Sequence, residues 1–272
     1  VLEGHLSIEA ALRADSRPMH RVLLAAEGVR ADRQARRIVA LSAQRGVPVE
    51  RLPRAEIDAM AVGRSHGGMI AEVGERRYVG LAQLAVANAF VVMLDGVEDP
   101  YNFGAALRSL YAAGASGLVI RPRSWEDATA ILARASAGAT ELLPIALADD
   151  PQAAADVLAH AGLLIAVATD DARAQSLYTA DLRPALFVLI GGERRGSAKG
   201  AAAHADLTVR IPYARSDAPS LGSAAAAAVI GFEVTRQRRL SAESGAPHAP
   251  EPGHVASERA PGATRRRADT RR

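Results

Sequence analysis

The apolar positions of this chain change period repeatedly, and the changes divide it into two blocks and a tail. Between residues 5 and 73, short apolar runs predict strands at Arg21–Ala25, Val47–Leu52 and Met69–Val73. Helical spacing separates them. Ser7 stands where it could cap a helix through Leu12, Ala31–Arg45 pairs an apolar stripe with an arginine-rich outer face, and Arg54–Met60 makes a short helix. A small α/β unit of roughly 75 residues results, a size at which domains fold alone. A charged, irregular link, Gly74–Arg77, follows. At Ala89–Leu94 the chain reads AFVVML, a continuous apolar run of the kind buried on both faces of a parallel sheet. Further strands are predicted at Gly117–Ile120, Glu141–Ile145, Leu163–Ala168, Ala185–Ile190 and Leu207–Ile211. Helices are predicted at Ala105–Ala113, Trp125–Ala135, Pro151–His160 and from Leu221 onward. Such alternation predicts a parallel α/β sheet that binds ligands at its C-terminal strand ends. From Ser241 proline, glycine, serine and charge replace the apolar period, predicting a disordered basic tail over 241–272.

Composition narrows this picture. Of 272 residues 49% are hydrophobic and only 4% aromatic, so helices are expected to pack through small side chains, alanine above all. The net charge is +3, and Lys199 is the sole lysine. Arginine suits planar recognition of phosphate. The tail carries six arginines against four acids, however, which leaves the folded part near neutrality, so charge alone is weak evidence for nucleic acid. The absence of cysteine excludes thiolate metal sites, thiol catalysis and disulfides. No run approaches the ~20 apolar residues of a spanning helix, and no charged segment precedes an apolar leader. A soluble cytoplasmic protein with no membrane partner is expected. His5, His20, His66, His160 and His204 are scattered, as suits surface or structural roles.

Three segments carry candidate chemistry. In Leu94–Gly114, LDGVEDPYNFGAALRSLYAAG, an apolar strand gives way to an acidic turn, then Asn102 and Gly104 at the start of a helix, with Arg108 a turn further in. Asn102 and Arg108 fit a helix cap and a solvent-facing arginine. They fit equally an amide and a guanidinium converging on a phosphate or sugar hydroxyl. In Ala185–Gly200, ALFVLIGGERRGSAKG, paired glycines after a buried strand let backbone approach a ligand, and Glu193 emerges at the strand end. The spacing is neither a Walker A loop nor GxGxxG. In Val209–Arg238, Pro212 ends a strand, a polar loop carries Arg215 and Asp217, and Ser220 stands where an N-cap is expected before an alanine-rich helix.

Together, in this order, the three closely resemble the motifs of the SpoU/TrmH family of knotted RNA methyltransferases. Asp95, Asp99, Pro100, Asn102, Gly104 and Arg108 match the first motif; Gly191, Gly192, Glu193 and Gly196 match the second. Ile211, Pro212, Ser220, Leu221 and Glu233 match the third, and ARASAGATELLPIA at 133–146 looks like the connecting segment. GHLSIEAAL near the start and SHGGMIAEV at 65–73 resemble the ends of a ribosomal-protein-like RNA-binding domain carried by many members.

The resemblance implies an N-terminal α/β substrate-binding domain over 1–80. It also implies a methyltransferase domain over 88–240, a parallel sheet whose C-terminal segment threads into a trefoil knot. It further implies S-adenosyl-L-methionine held near Gly191, Ile211 and Leu221, and methyl transfer to a ribose 2′-hydroxyl, with ribosomal RNA as the expected substrate. Arg108 is implied in activation, Asn102 and Glu193 in orienting it or the RNA, and Ser220 in a hydrogen bond near the reacting centre. No metal is required, and a homodimer is expected. One departure stands out: the family's usual Asn after Ser-Leu is Gly222 here. That loss favours a rival reading, a catalytically silent RNA-binding or ribosome-assembly protein. Retention of Asn102, Arg108, Glu193 and Ser220 favours the enzyme.

Overall fold

The computed structural model describes residues 1–27, 33–122, 128–191, 204–215, 217 and 219–243. The N-terminal segment forms a four-stranded sheet in the order β1 (Leu2–Glu3), β4 (Met69–Val73), β2 (Met19–Ala25), β3 (Val49–Leu52). β2 and β3 are parallel, whereas β4 runs antiparallel to β1 and β2. Helices α1 (His5–Ala14), α2 (Arg33–Gln44) and α3 (Arg54–Met60) connect these strands. Ile8, Leu12, Leu23, Leu24, Ile38, Ile57 and Ile70 fill the core.

Several expectations are corrected here. Ser7 lies buried inside α1, and Gly4 precedes the helix at φ 79°, a backbone state that a side chain would strain. The two-residue β1 carries too little pattern to be seen in sequence. His66, expected at the surface or in a structural role, is buried and takes the structural one. Its Nδ1 accepts from the Gly68 N–H at 3.2 Å, and its Nε2 lies 3.2 Å from Asp58.

The second sheet has seven parallel strands in the order β7 (Ile145–Leu147), β6 (Gly117–Ile120), β5 (Phe90–Asp95), β10 (Leu186–Gly191), β8 (Leu164–Ala168), β11 (Leu207–Arg210), β9 (Gln175–Ser176). Its central strands are apolar up to Asp95 at the end of β5, because both faces are covered. Phe90, Val92 and Leu94 of β5 and Leu186, Val188 and Ile190 of β10 face one core; there α4 (Pro100–Ala112) and α8 (Ser223–Glu243) pack. The alternate residues Val91, Met93, Phe187 and Leu189 face the other, with Leu158 of α7 (Pro151–His160). The expected strand at Glu141–Ile145 is instead helix α6 (Ala139–Leu142) followed by β7. Pro144 has no N–H for a ladder, and Glu141 turns inward onto Arg17. Helix α5 (Thr129–Ala135) precedes it. Residues 241–243, expected in the tail, complete the last turn of α8, and 244–272 lie outside the described residues.

Candidate active site

The parallel strands of the second sheet end at one edge, where Asp95 and Gly191 close their strands and Ile211 follows β11. β5 and β10 are neighbours in register, so Asp95 ends one strand directly opposite Gly191 ending the other. β11 lies two places beyond β10, across β8, and hands its chain to the loop containing Ile211. Asp95 is buried and receives a hydrogen bond from Arg121 Nε at 2.5 Å; Arg121 Nη1 also donates to the Asp149 carbonyl. One guanidinium thus ties together the ends of β5, β6 and β7, and its pKa is raised by the bond to Asp95. Sequence reading missed Arg121. Its only signal was an arginine immediately after a buried strand.

α4 begins at this edge. Asp99 is its N-cap, accepting the Asn102 N–H at 2.7 Å, and Pro100 occupies the first turn, where its missing N–H costs nothing. Asn102 is therefore not the cap; it is exposed, and its side chain has no hydrogen-bond partner among the described residues. Arg108 is likewise exposed and makes no ion pair or hydrogen bond among the described residues. Gly104, on the opposite side, is buried: a Cβ there would lie 2.6 Å from Ala135 Cβ and 3.0 Å from the Ser136 nitrogen. Glycine at this position is a packing requirement.

α8 begins at the same edge, but two residues later than expected. Gly222, not Ser220, is the residue whose carbonyl opens the helix, accepting from Ala225 and Ala226 at 3.0 Å. The Leu221 N–H is taken instead by Tyr213 Oη at 3.0 Å, which pins the loop before the helix and leaves Ser220 exposed. Leu221 is also exposed, Ile211 half-buried and Gly191 half-buried. Glu193, with Gly192 and Gly196, lies outside the described residues.

Glu233, the acidic end of the third motif, is buried in α8. It binds Arg236 at 2.7 Å and Gln237 at 2.8 Å, and the Arg236 bond holds its carboxyl below the ordinary glutamate value. Gln237 passes the contact on to the Leu182 N–H and the Ala180 carbonyl. Glu233 therefore organises the far half of α8.

A model of the SpoU rRNA methylase family matches residues 89–232, the span of the parallel sheet and the first half of α8, through Phe232. The chain belongs to the SpoU rRNA methylase family. A second model, RNA 2′-O ribose methyltransferase substrate binding, matches residues 1–79. Among relatives of this SpoU protein, the 23S rRNA (guanosine-2′-O-)-methyltransferase RlmB of Pseudomonas putida is 30% identical over 243 residues, 87% of this chain and 96% of that one. The SpoU methyltransferase AviRb of Streptomyces viridochromogenes, solved with AdoMet, superposes with a TM-score of 0.69 at 26% identity, covering 88% of this chain and 89% of that chain. An AdoMet-bound rRNA methyltransferase of Sinorhizobium meliloti gives the same score and identity, covering 86% and 85%.

Proposed function

We propose that this protein transfers the methyl group of S-adenosyl-L-methionine to a ribose 2′-hydroxyl of RNA, ribosomal RNA being the substrate. The observation that carries the reading is the meeting of Asp95 and Gly191 at one strand edge, beyond which α4 begins and carries Asn102 and Arg108 exposed, with no side-chain partner among the described residues. The N-terminal residues 1–80 select the RNA, and residues 88–240 carry out the transfer along a trefoil-knotted path. Two copies associate through α8, whose Phe232 is 52% and Leu240 51% exposed. The protein works in the cytoplasm; among the described residues no helix is long and apolar enough to cross a membrane.

The residues present fit the cofactor. Gly191 ends a buried strand with no side chain in the way, and Ile211 and Leu221 add apolar surface suited to an adenine ring. Bound S-adenosyl-L-methionine supplies an electrophilic methyl carbon on its sulfonium. The chain's own part is to align the ribose O2′ and help it lose its proton. An arginine stays protonated, so Arg108 acts as a cation: it clamps the adjoining phosphate and stabilises charge developing on O2′. Asn102 and Glu193 orient Arg108 or the RNA, and Ser220 donates a hydrogen bond beside the reacting centre.

Gly222 supports the silent RNA-binding alternative, because the family's amide is missing there. A Cβ added at 222 meets nothing within 4 Å, so the position can be restored without strain. Calorimetric titration with S-adenosyl-L-methionine, on the native protein and Gly222→Asn, separates the readings. Micromolar binding by the native protein, about −8 kcal/mol, is expected. Binding by the variant alone would favour the silent protein, and binding by neither would overturn the enzyme.

A further inference from the structure

Two buried carboxylates cross the joint between the N-terminal sheet and the parallel sheet in opposite directions. Glu3, on β1, is fully buried. It accepts Arg134 Nη1 of α5 at 3.0 Å together with the N–H groups of Val62 and Gly63. Glu141, on α6, is equally enclosed and reaches back. It accepts Ser16 Oγ at 2.5 Å, Arg17 Nε at 3.0 Å and Nη2 at 2.9 Å, and Arg76 Nη1 at 3.3 Å. The other arm of Arg76 holds the Leu143 carbonyl at 2.8 Å.

The packing is equally intimate. Ala133 of α5 is part of the N-terminal core, and a Cβ on Gly138 would lie 2.7 Å from Ala10 Cβ and 2.8 Å from the Leu6 carbonyl. The Val79 N–H donates to the Ile145 carbonyl at 2.9 Å, so the link between the units is itself bonded to β7. On its other side α5 meets α4: Ala135 and the Leu132 carbonyl are the atoms that exclude a side chain at Gly104. The α5–α6 pair is thus a wedge, with one face in the core of the N-terminal unit and the other against the helix bearing Asn102 and Arg108.

Buried ion pairs add little net stability over apolar contacts of the same volume, but separating one leaves a buried charge uncompensated, so a displaced joint is costly. We propose that the wedge is a rigid coupling element, and that Glu3, Arg134 and Glu141 are positioning residues that fix the N-terminal unit relative to Arg108. RNA gripped by the N-terminal unit then arrives in register at the site. This inference rests on the methyltransferase reading given above.

The chain has no cysteine, so an introduced pair can be spin-labelled without background. Val39→Cys on α2 and Val157→Cys on α7 are both more than a third exposed. Pulsed electron resonance on this labelled pair is expected to give one narrow distance distribution. Glu141→Gln, and separately the less buried Arg134→Met, should broaden it while both variants retain the native circular dichroism spectrum and S-adenosyl-L-methionine affinity. On ribosomal RNA, kcat should fall about 10- to 100-fold, the cost of a misplacement far from the chemistry, with KM changed less than kcat. A broad native distribution, a narrow one in both variants, or broadening with unchanged kcat would each overturn the proposal. The distance measurement involves neither cofactor nor turnover, so failure of cofactor binding would count against the methyltransferase reading alone.

Discussion

At the N-terminal ends of β5 and β10, Arg238 spends both terminal nitrogens on main chain. It donates to the carbonyls of Asn88 at 2.8 Å, Ala89 at 3.0 Å and Pro184 at 2.6 Å, and lies 5.8 Å above the ring of Phe90. Burial holds its pKa below the ordinary arginine value. On α4, which begins beyond the C-terminal end of β5, Arg108 stands exposed with no partner among the described residues. Both arginines sit on helices that pack against β5 and β10. The first closes off carbonyls that would otherwise be buried without donors; the second makes no such contact among the described residues. Position at a ligand edge does not by itself make an arginine functional, since Arg121 at that edge is held by Asp95 and the Asp149 carbonyl. Exposure without a partner among the described residues is what distinguishes Arg108 from both.

The comparison breaks most sharply at Arg108 itself. Arg108→Ala should lower methyl transfer about 10²- to 10³-fold, the range for removing a donor to developing negative charge, while the urea midpoint stays at the native value. A variant that lost stability instead would place Arg108 with the structural arginines. Arg238→Met should do the reverse, costing about 2 kcal/mol in urea unfolding because several carbonyls lose their donor. Its turnover at a temperature where it remains folded should match the native rate.

Two smaller effects sharpen the contrast along α8. Glu233 has a depressed pKa, so its contribution to stability is present above the ordinary value of 4.5 and is lost as pH falls through the lower folded value. The native urea midpoint should therefore drop more between pH 7 and pH 3.5 than that of Glu233→Gln, and equal drops would exclude Glu233 from the acid limb. At the other end of the helix, Gly222→Asn puts a preferred capping residue where glycine stands. It should raise stability by only a few tenths of a kcal/mol, readable as a small rise in Tm.

Much of this was legible in the sequence wherever pattern and motif coincide. AFVVML read as a strand covered on both faces, and the helix after it was expected, though at Ala105–Ala113 with Asn102 as a possible cap, five residues later than its start at Pro100 behind Asp99. What escaped the pattern depends on contacts distant in sequence. Glu141 was read into a strand because nothing local reveals that Ser16, Arg17 and Arg76 wait for it across the joint. Ser220 was read as a cap because Tyr213, seven residues earlier, was not expected to take the neighbouring N–H. Arg238 read as one of several closing arginines, whereas its partners lie some 50 and 150 residues away in the chain.

The most direct test of the central claim is methyl transfer from radiolabelled S-adenosyl-L-methionine to unmodified ribosomal RNA, followed by alkaline hydrolysis. The account predicts label in an alkali-resistant dinucleotide, the mark of a methylated 2′-oxygen. Absence of transfer, or label recovered only in alkali-released mononucleotides, would contradict it.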